Sequence, residues 1–126
     1  MVLDGNPVAQ RVFVVEDEPL LAMNIEDMLT ELGHHVTETA TRIDKALALA
    51  ESSEFDLAVL DINLAGSKTF QVAAILRNRG IPFIFISGYG PDGLVDGYRG
   101  AHLLTKPFGP SELEHMIAQL LSENVT

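Results

Sequence analysis

Short apolar, β-branched runs alternate along this chain with stretches whose apolar residues recur every three or four positions. No other feature limits the possible folds as much. RVFVV (Arg11–Val15), LAVL (Leu57–Leu60) and FIFI (Phe83–Ile86) are apolar almost throughout. They read as strands buried on both faces, not as strands with one wet side. His35–Ala40 sets Val36, Glu38 and Ala40 against His35, Thr37 and Thr39 and reads as another strand; Ala101–Thr105 reads as a short last one. Between the strands lie helical patterns. Pro19 stands at a first helical position, where its missing N–H costs nothing. Leu20, Leu21, Ile25, Met28, Leu29 and Leu32 follow at helical spacing, and Gly33 ends the run. Thr41 opens a capping pattern with Asp44, ahead of a face made of Ile43, Ala46, Leu47 and Ala50. Thr69–Arg79 forms a third helix, with Phe70, Ala73, Ala74 and Leu76 inward and Gly80 as its stop. Gly109, Pro110 and Glu112 start a last helix carrying Leu113, Met116, Ile117, Leu120 and Leu121.

Five strand–helix alternations with fully apolar strands predict a parallel sheet covered by helices on both sides. Right-handed crossovers reduce the topologies to a doubly wound α/β sheet. One stretch resists the pattern. GYGPDGLVDGYRG, between the last two strands, holds Gly88, Gly90, Gly93, Gly97 and Gly100 with Pro91. Each glycine costs a helix about 1 kcal/mol against alanine, so a fourth helix here, around Asp92–Tyr98, is expected to be short and weak.

Composition removes several function classes. There is no cysteine, hence no disulfide framework, thiol nucleophile or thiolate metal site. The net charge of −10 argues against direct nucleic-acid binding, which needs a basic face to neutralise phosphates. No run approaches the roughly 18 apolar residues of a membrane helix, and Met1–Gln10 lacks the basic and apolar regions of a signal peptide. Residues 1–10 are expected to be a loosely ordered lead-in, 11–122 a single domain. His34, His35, His102 and His115 show no metal-ligand spacing and read as surface or packing residues.

In a doubly wound sheet the ligand site lies beyond the carboxyl ends of the strands. The first strand here ends in Glu16, Asp17 and Glu18, the third in Asp61 followed by Asn63, the fourth in Ser87 and Gly88, the fifth in Lys106 and Pro107. The fold therefore gathers carboxylates, a hydroxyl and an ammonium on one edge. Carboxylates about 4 Å apart repel by about 4 kcal/mol per pair at an effective dielectric near 20. Either one carboxyl keeps its proton or a hard divalent cation binds. Mg²⁺ suits one or two carboxylates plus waters and phosphate oxygens. A carboxylate nucleophile, a divalent cation, a lysine and a hydroxyl together meet the needs of phosphoryl transfer. Glu18 reads as a solvated acid at a helix start.

VVEDE, LDIN, SG and TKPF, in this order and on these strand ends, resemble the receiver domain of two-component response regulators. The resemblance runs from about Arg11 to Leu121. It implies a flavodoxin-like (βα)5 sheet of strand order 2-1-3-4-5, with no output domain within the 126 residues. It implies Asp61 as phosphoacceptor. Mg²⁺ (or Mn²⁺) would be held by Asp17, Asp61 and the backbone carbonyl of Asn63, and by Glu16 through water. Ser87, Lys106 and the Gly88 amide would bind the phosphoryl group, and the Lys106–Pro107 bond would be cis. The donor would be a histidine kinase or histidine phosphotransfer protein and the receiver of the signal a separate protein, all in the cytoplasm. The chain would catalyse only its own phosphorylation and dephosphorylation.

The chain departs from the family pattern in two places. Leu64, Ala65 and Gly66 replace the usual Met-Pro after the phosphoacceptor, and Leu103 replaces the usual switch aromatic. PFIFISGYG (Pro82–Gly90) resembles instead a subfamily sometimes called FAT GUY, which lacks the rotating aromatic. Ser87 and the glycine-rich stretch around Tyr89 are then the expected switch, and Asn63, Tyr89 and Leu103 the positions that tune it. A haloacid-dehalogenase-type phosphohydrolase also uses a strand-end aspartate, but wants a second acid where Asn63 stands. A receiver-like module that is never phosphorylated would carry a broken acid pocket. A flavin-binding protein would need a hydroxyl-rich phosphate loop where this chain is acidic.

Overall fold

The computed structural model describes residues 2–3, 6–7, 9–88, 93–95 and 97–123. In chain order the elements are β1 (Val2–Leu3), β2 (Asn6–Pro7), β3 (Arg11–Val15), α1 (Pro19–Glu31), β4 (His35–Ala40), α2 (Ile43–Ser52), β5 (Leu57–Asp61), β6 (Asn63–Leu64), β7 (Ser67–Lys68), α3 (Phe70–Arg79), β8 (Phe83–Ser87), β9 (Leu103–Thr105) and α4 (Pro110–Glu123). Five strands form one parallel sheet in the order β4-β3-β5-β8-β9, the flavodoxin-like arrangement. β1 and β2 pair as a separate antiparallel ladder.

Successive side chains of a strand point to opposite faces, and here both faces are dry. Phe13, Val15, Ala58, Leu60 and Phe85 point to α2 and α3 and meet Ala46, Ala50, Val72, Ala73 and Leu76. Val12, Val14, Leu57, Val59, Ile84 and Ile86 point the other way, to α1 and α4, and meet Ile25, Leu29, Leu113, Ile117 and Leu120. Each large side chain buried in this way contributes about 1.5–3 kcal/mol. Together they fix the register, because a slip by one residue would exchange the two faces.

Several local readings are corrected. Leu20 is 77% exposed and does not belong to the inner face of α1, which is made by Ala22, Ile25 and Leu29. Helical spacing alone admitted it because it adjoins Leu21 at the first turn, where the helix has just left the sheet. In α3, Val72 is buried and Ala74 exposed, so the inward stripe sits between the positions read from the sequence. Thr41 does not cap α2; the N-cap is Arg42, without a side-chain cap bond, while Asp44 accepts from the Lys45 N–H at 2.9 Å. The last strand starts at Leu103 rather than Ala101, and α3 at Phe70 rather than Thr69. Gly80 does end α3, in the left-handed conformation (φ 73°) that favours glycine. Among the described residues between Ser87 and Leu103 there is no α-helix.

The sequence reading did not anticipate the hairpin β6–β7, which pairs Asn63 with Lys68 and Leu64 with Ser67. Its turn residues, Ala65 (φ 49°) and Gly66 (φ 90°), both have positive φ, as a two-residue hairpin of the primed type requires. Leu64 is buried and roots the hairpin in the core.

Candidate functional site

Backbone bonds beyond the strand ends carry the site residues. The Glu16 N–H donates to the Ala40 carbonyl at 3.0 Å, extending β3 by one residue. The Ile62 N–H donates to Ile86 at 3.0 Å, and the Lys106 N–H to Ser87 at 2.8 Å. These bonds set Glu16, Asp61, Ser87 and Lys106 on one rim. The Lys106–Pro107 bond is cis.

Lys106 Nζ donates to Asp61 Oδ2 at 3.0 Å and lies 3.4 Å from Glu16 Oε1. Oxygens of Glu16, Asp17 and Asp61 lie within 4.8 Å of one another. Glu16 and Asp61 are buried, and Asp17 is half-buried. Each carboxylate also accepts one backbone N–H: Glu16 Oε2 from Glu18 at 3.1 Å, Asp61 Oδ1 from Asn63 at 3.2 Å, Asp17 Oδ2 from Ala65 at 3.2 Å. Glu16 Oε1, fully buried, has no hydrogen bond; Lys106 is close enough to attract it but does not donate to it.

The electrostatics follow from this crowding. Burial pushes the Glu16 carboxyl up to about 7; the Asp61 charge adds to the shift, while the Glu18 amide and Lys106 oppose it. Burial also pulls the Lys106 ammonium down, but its hydrogen bond and charge interaction with Asp61, helped by Glu16, leave its pKa above the ordinary lysine value. A half-charged Glu16 near neutrality and an orphaned buried oxygen beside two further carboxylates suit a hard divalent cation with oxygen ligands.

A cavity of about 410 Å³ opens over the cluster. Asp17, Asp61, Asn63, Ser87, Gly88 and Lys106 line it, together with Glu18, Ile62, Lys68 and Gly93. Gly93 brings its backbone close: a Cβ there would lie 3.4 Å from Ser87 Oγ. Leu103 does not reach the cavity. It sits in β9 opposite Phe85, half-buried against the α2–α3 side of the core. Tyr89 lies outside the described residues.

Sequence reasoning missed two residues. Thr69, fully buried, donates its hydroxyl to the Asp61 carbonyl at 2.8 Å and its N–H to the Ile62 carbonyl at 3.0 Å, closing the loop that carries the acid. The sequence placed it only as the first residue of the third helix. Tyr98 stacks near Phe70, Phe83 and Phe85 (5.3, 6.5 and 5.8 Å between centroids), donates its hydroxyl to the Phe70 carbonyl at 3.3 Å and lies under Arg77. It supplies a ring next to Phe85, the strand partner of Leu103. An aromatic amid five glycines was the available signal. The histidines take packing and surface roles: His34 is buried and accepts the Gln10 N–H at 3.0 Å, and His102 lies 3.0 Å from Glu123.

The model of the response regulator receiver domain matches residues 12–118. The chain belongs to this family. Among curated relatives of this receiver, the phyllosphere-induced regulator PhyR of Methylorubrum extorquens is 37% identical over 119 residues, covering 90% of the chain and 44% of the relative. The solved anti-anti-sigma factor PhyR of Bartonella quintana is 37% identical with a TM-score of 0.81, covering 93% of the chain and 49% of that structure. The receiver domain of the sensor histidine kinase PA1611 of Pseudomonas aeruginosa, solved with a magnesium ion coordinated in its active site cleft, is 25% identical with a TM-score of 0.74, covering 91% and 99%. The receiver spans about half the length, or less, of the PhyR proteins it matches. Response regulators of this family are signalling proteins. Among the described residues no helix is long and apolar enough to cross a membrane.

Proposed function

We propose that the chain accepts a phosphoryl group on Asp61 and uses it to switch a protein contact. The observation that carries this reading is the Asp61 carboxylate, bonded to Lys106 at 3.0 Å, grouped with two other carboxylates and facing an open cavity. Asp61 attacks the phosphorus of a phosphohistidine on a kinase or phosphotransfer protein. A P–O bond to Asp61 forms as the P–N bond breaks, and the bonding pair stays on the imidazole nitrogen, which is then protonated. Lys106 meets the negative charge that builds on the transferring oxygens, and the Ser87 hydroxyl and Gly88 amide hydrogen-bond them. Asp17, Asp61 and the Asn63 carbonyl, with Glu16 through water, would hold Mg²⁺ or Mn²⁺, which supplies further positive charge against those oxygens when bound. The magnesium in the PA1611 receiver supports this choice.

The aspartyl phosphate then shifts a two-state equilibrium. Ser87 and the stretch that follows it read the change, consistent with the FAT GUY resemblance of residues 82–90. The anti-anti-sigma role of the Bartonella relative supports a protein rather than a nucleic acid as the downstream partner, as does the net charge of −10. The setting is the cytoplasm, and the only chemistry is the chain's own phosphorylation and dephosphorylation. Incubation with an acyl- or amidophosphate and Mg²⁺, followed by intact mass, tests the reading. One phosphoryl adduct is expected, absent in Asp61→Asn. Wild type that stays unmodified by several donors and by its kinase overturns it.

A further inference from the structure

The cavity over Asp61 is lined by a second cation. Lys68 reaches it from the hairpin β6–β7, which is not among the four strand-end motifs. Its placement is built, not incidental. Lys68 pairs in register with Asn63, two residues beyond Asp61, across a turn of two positive-φ residues. The next residue, Thr69, is tied to the Asp61 and Ile62 carbonyls, and the turn itself is tethered through the Ala65 N–H to Asp17 Oδ2. The backbone of Lys68 is thus bound on both sides to the acidic cluster. Its side chain is exposed, and among the described residues no carboxylate pairs with it. Lys106 differs: it is already committed to Asp61 and Glu16.

A dianionic phosphodonor entering the cavity meets Asp17 and Glu18 in its lining, both of which repel it. Lys106 cannot offset this alone, since its charge is shared with buried carboxylates. We propose that Lys68 is a second anion-binding residue of this site, which draws in the phosphodonor and holds its outer oxygens while Asp61 attacks. The inference rests on the phosphoacceptor reading. It adds a residue whose effect on anions and cations must have opposite signs: a positive charge at the mouth favours the donor and disfavours a divalent cation at the carboxylates. A purely structural residue would weaken both together.

The test compares wild type, Lys68→Ala and Lys68→Arg, all at an exposed position where folding is not at risk. Acetyl phosphate with saturating Mg²⁺ gives the rate of adduct formation by intact mass, and calorimetry gives the affinity for Mg²⁺ alone. Lys68→Ala is expected to slow phosphorylation about three- to ten-fold at low ionic strength and to bind Mg²⁺ about two-fold tighter. The rate gap should narrow in high salt, because an exposed charge is screened. Lys68→Arg should restore the rate. An unchanged rate in Lys68→Ala, or a fall in rate together with weaker Mg²⁺ binding, overturns the role of Lys68 and leaves Asp61 untouched. Wild type that takes up no phosphoryl group overturns the phosphoacceptor reading, and the role of Lys68 with it.

Discussion

The two sides of the cavity are held in different ways. On the side of β3, β5 and the hairpin, polar bonds to the acidic residues fix each turn: Glu18, Asn63 and Ala65 amides on carboxylates, and the Thr69 hydroxyl on the Asp61 carbonyl. On the side of β8 and β9, the described part of the connection is anchored by apolar contacts: Leu94 is buried in the core, and one ring packs beside it. Tyr98 packs on three phenylalanines, and Arg77 covers it while bonding the Gly97 carbonyl at 3.1 Å. The first side cannot be loosened without altering the chemistry. On the second side, residues 97–101 hold none of the groups assigned to the chemistry, so that part of the connection can change shape while Ser87 and Lys106 stay in place, which is what a signalling segment needs.

The largest expected effect erases the distinction. Phe85 is fully buried under Tyr98 and Phe70 and lies in the strand beside Asp61. Phe85→Ala should cost about 3–5 kcal/mol in chemical denaturation, and both sides should loosen in hydrogen exchange. Glu16→Gln comes next and acts from the acidic side, where Glu16 also faces Lys106 at 3.4 Å. A carboxyl with a folded pKa of about 7 holds more protons folded than unfolded between its ordinary value and 7. The contribution of Glu16 to stability is therefore greatest below its ordinary value and is lost as pH rises through 7. Replacing Glu16 by neutral Gln should stabilise the metal-free protein by up to about 3 kcal/mol at pH 8, and by almost nothing near pH 4. Thermal melts at the two pH values check this; an equal gain at both would count against it.

Thr69→Val, nearly the same shape, leaves a buried carbonyl short of a donor. A loss of about 1–3 kcal/mol is expected, with slower phosphorylation of Asp61 as its loop slackens. Tyr98→Phe should be mildest. It removes one hydrogen bond worth about 0.5–1.5 kcal/mol and keeps the stacking. Amide exchange across 97–101 should quicken while the rate of adduct formation on Asp61 stays at the wild-type value. A parallel fall in that rate would show that the two sides are not separable.

Three of the strand ends were legible because an apolar run is cut off there by a charge, at Glu16, Asp61 and Lys106, and a parallel sheet turns such ends into neighbours. Asp17, Asp61 and Lys106 converge for that reason alone. Other features were illegible for equally physical reasons. Strands of two residues have no period, so β6–β7 left only Gly66 as a mark, and Ala65 is not a residue that announces a positive φ. Lys68 looked like any surface lysine until the hairpin turned it to the cavity. Thr69 read as the first residue of a helix, but its hydroxyl donates toward the strand end behind it. Leu20 and Val72 show that helical spacing locates a stripe to within one residue, not better, when the apolar positions are crowded.

The bond from the Ala65 amide to Asp17 Oδ2 joins the hairpin tip to one of the three acids. Whatever competes for that oxygen lengthens or frees the tether. The backbone resonance of Ala65 thereby becomes a gauge, readable from the protein's surface, of how many calls are being made on Asp17 at once.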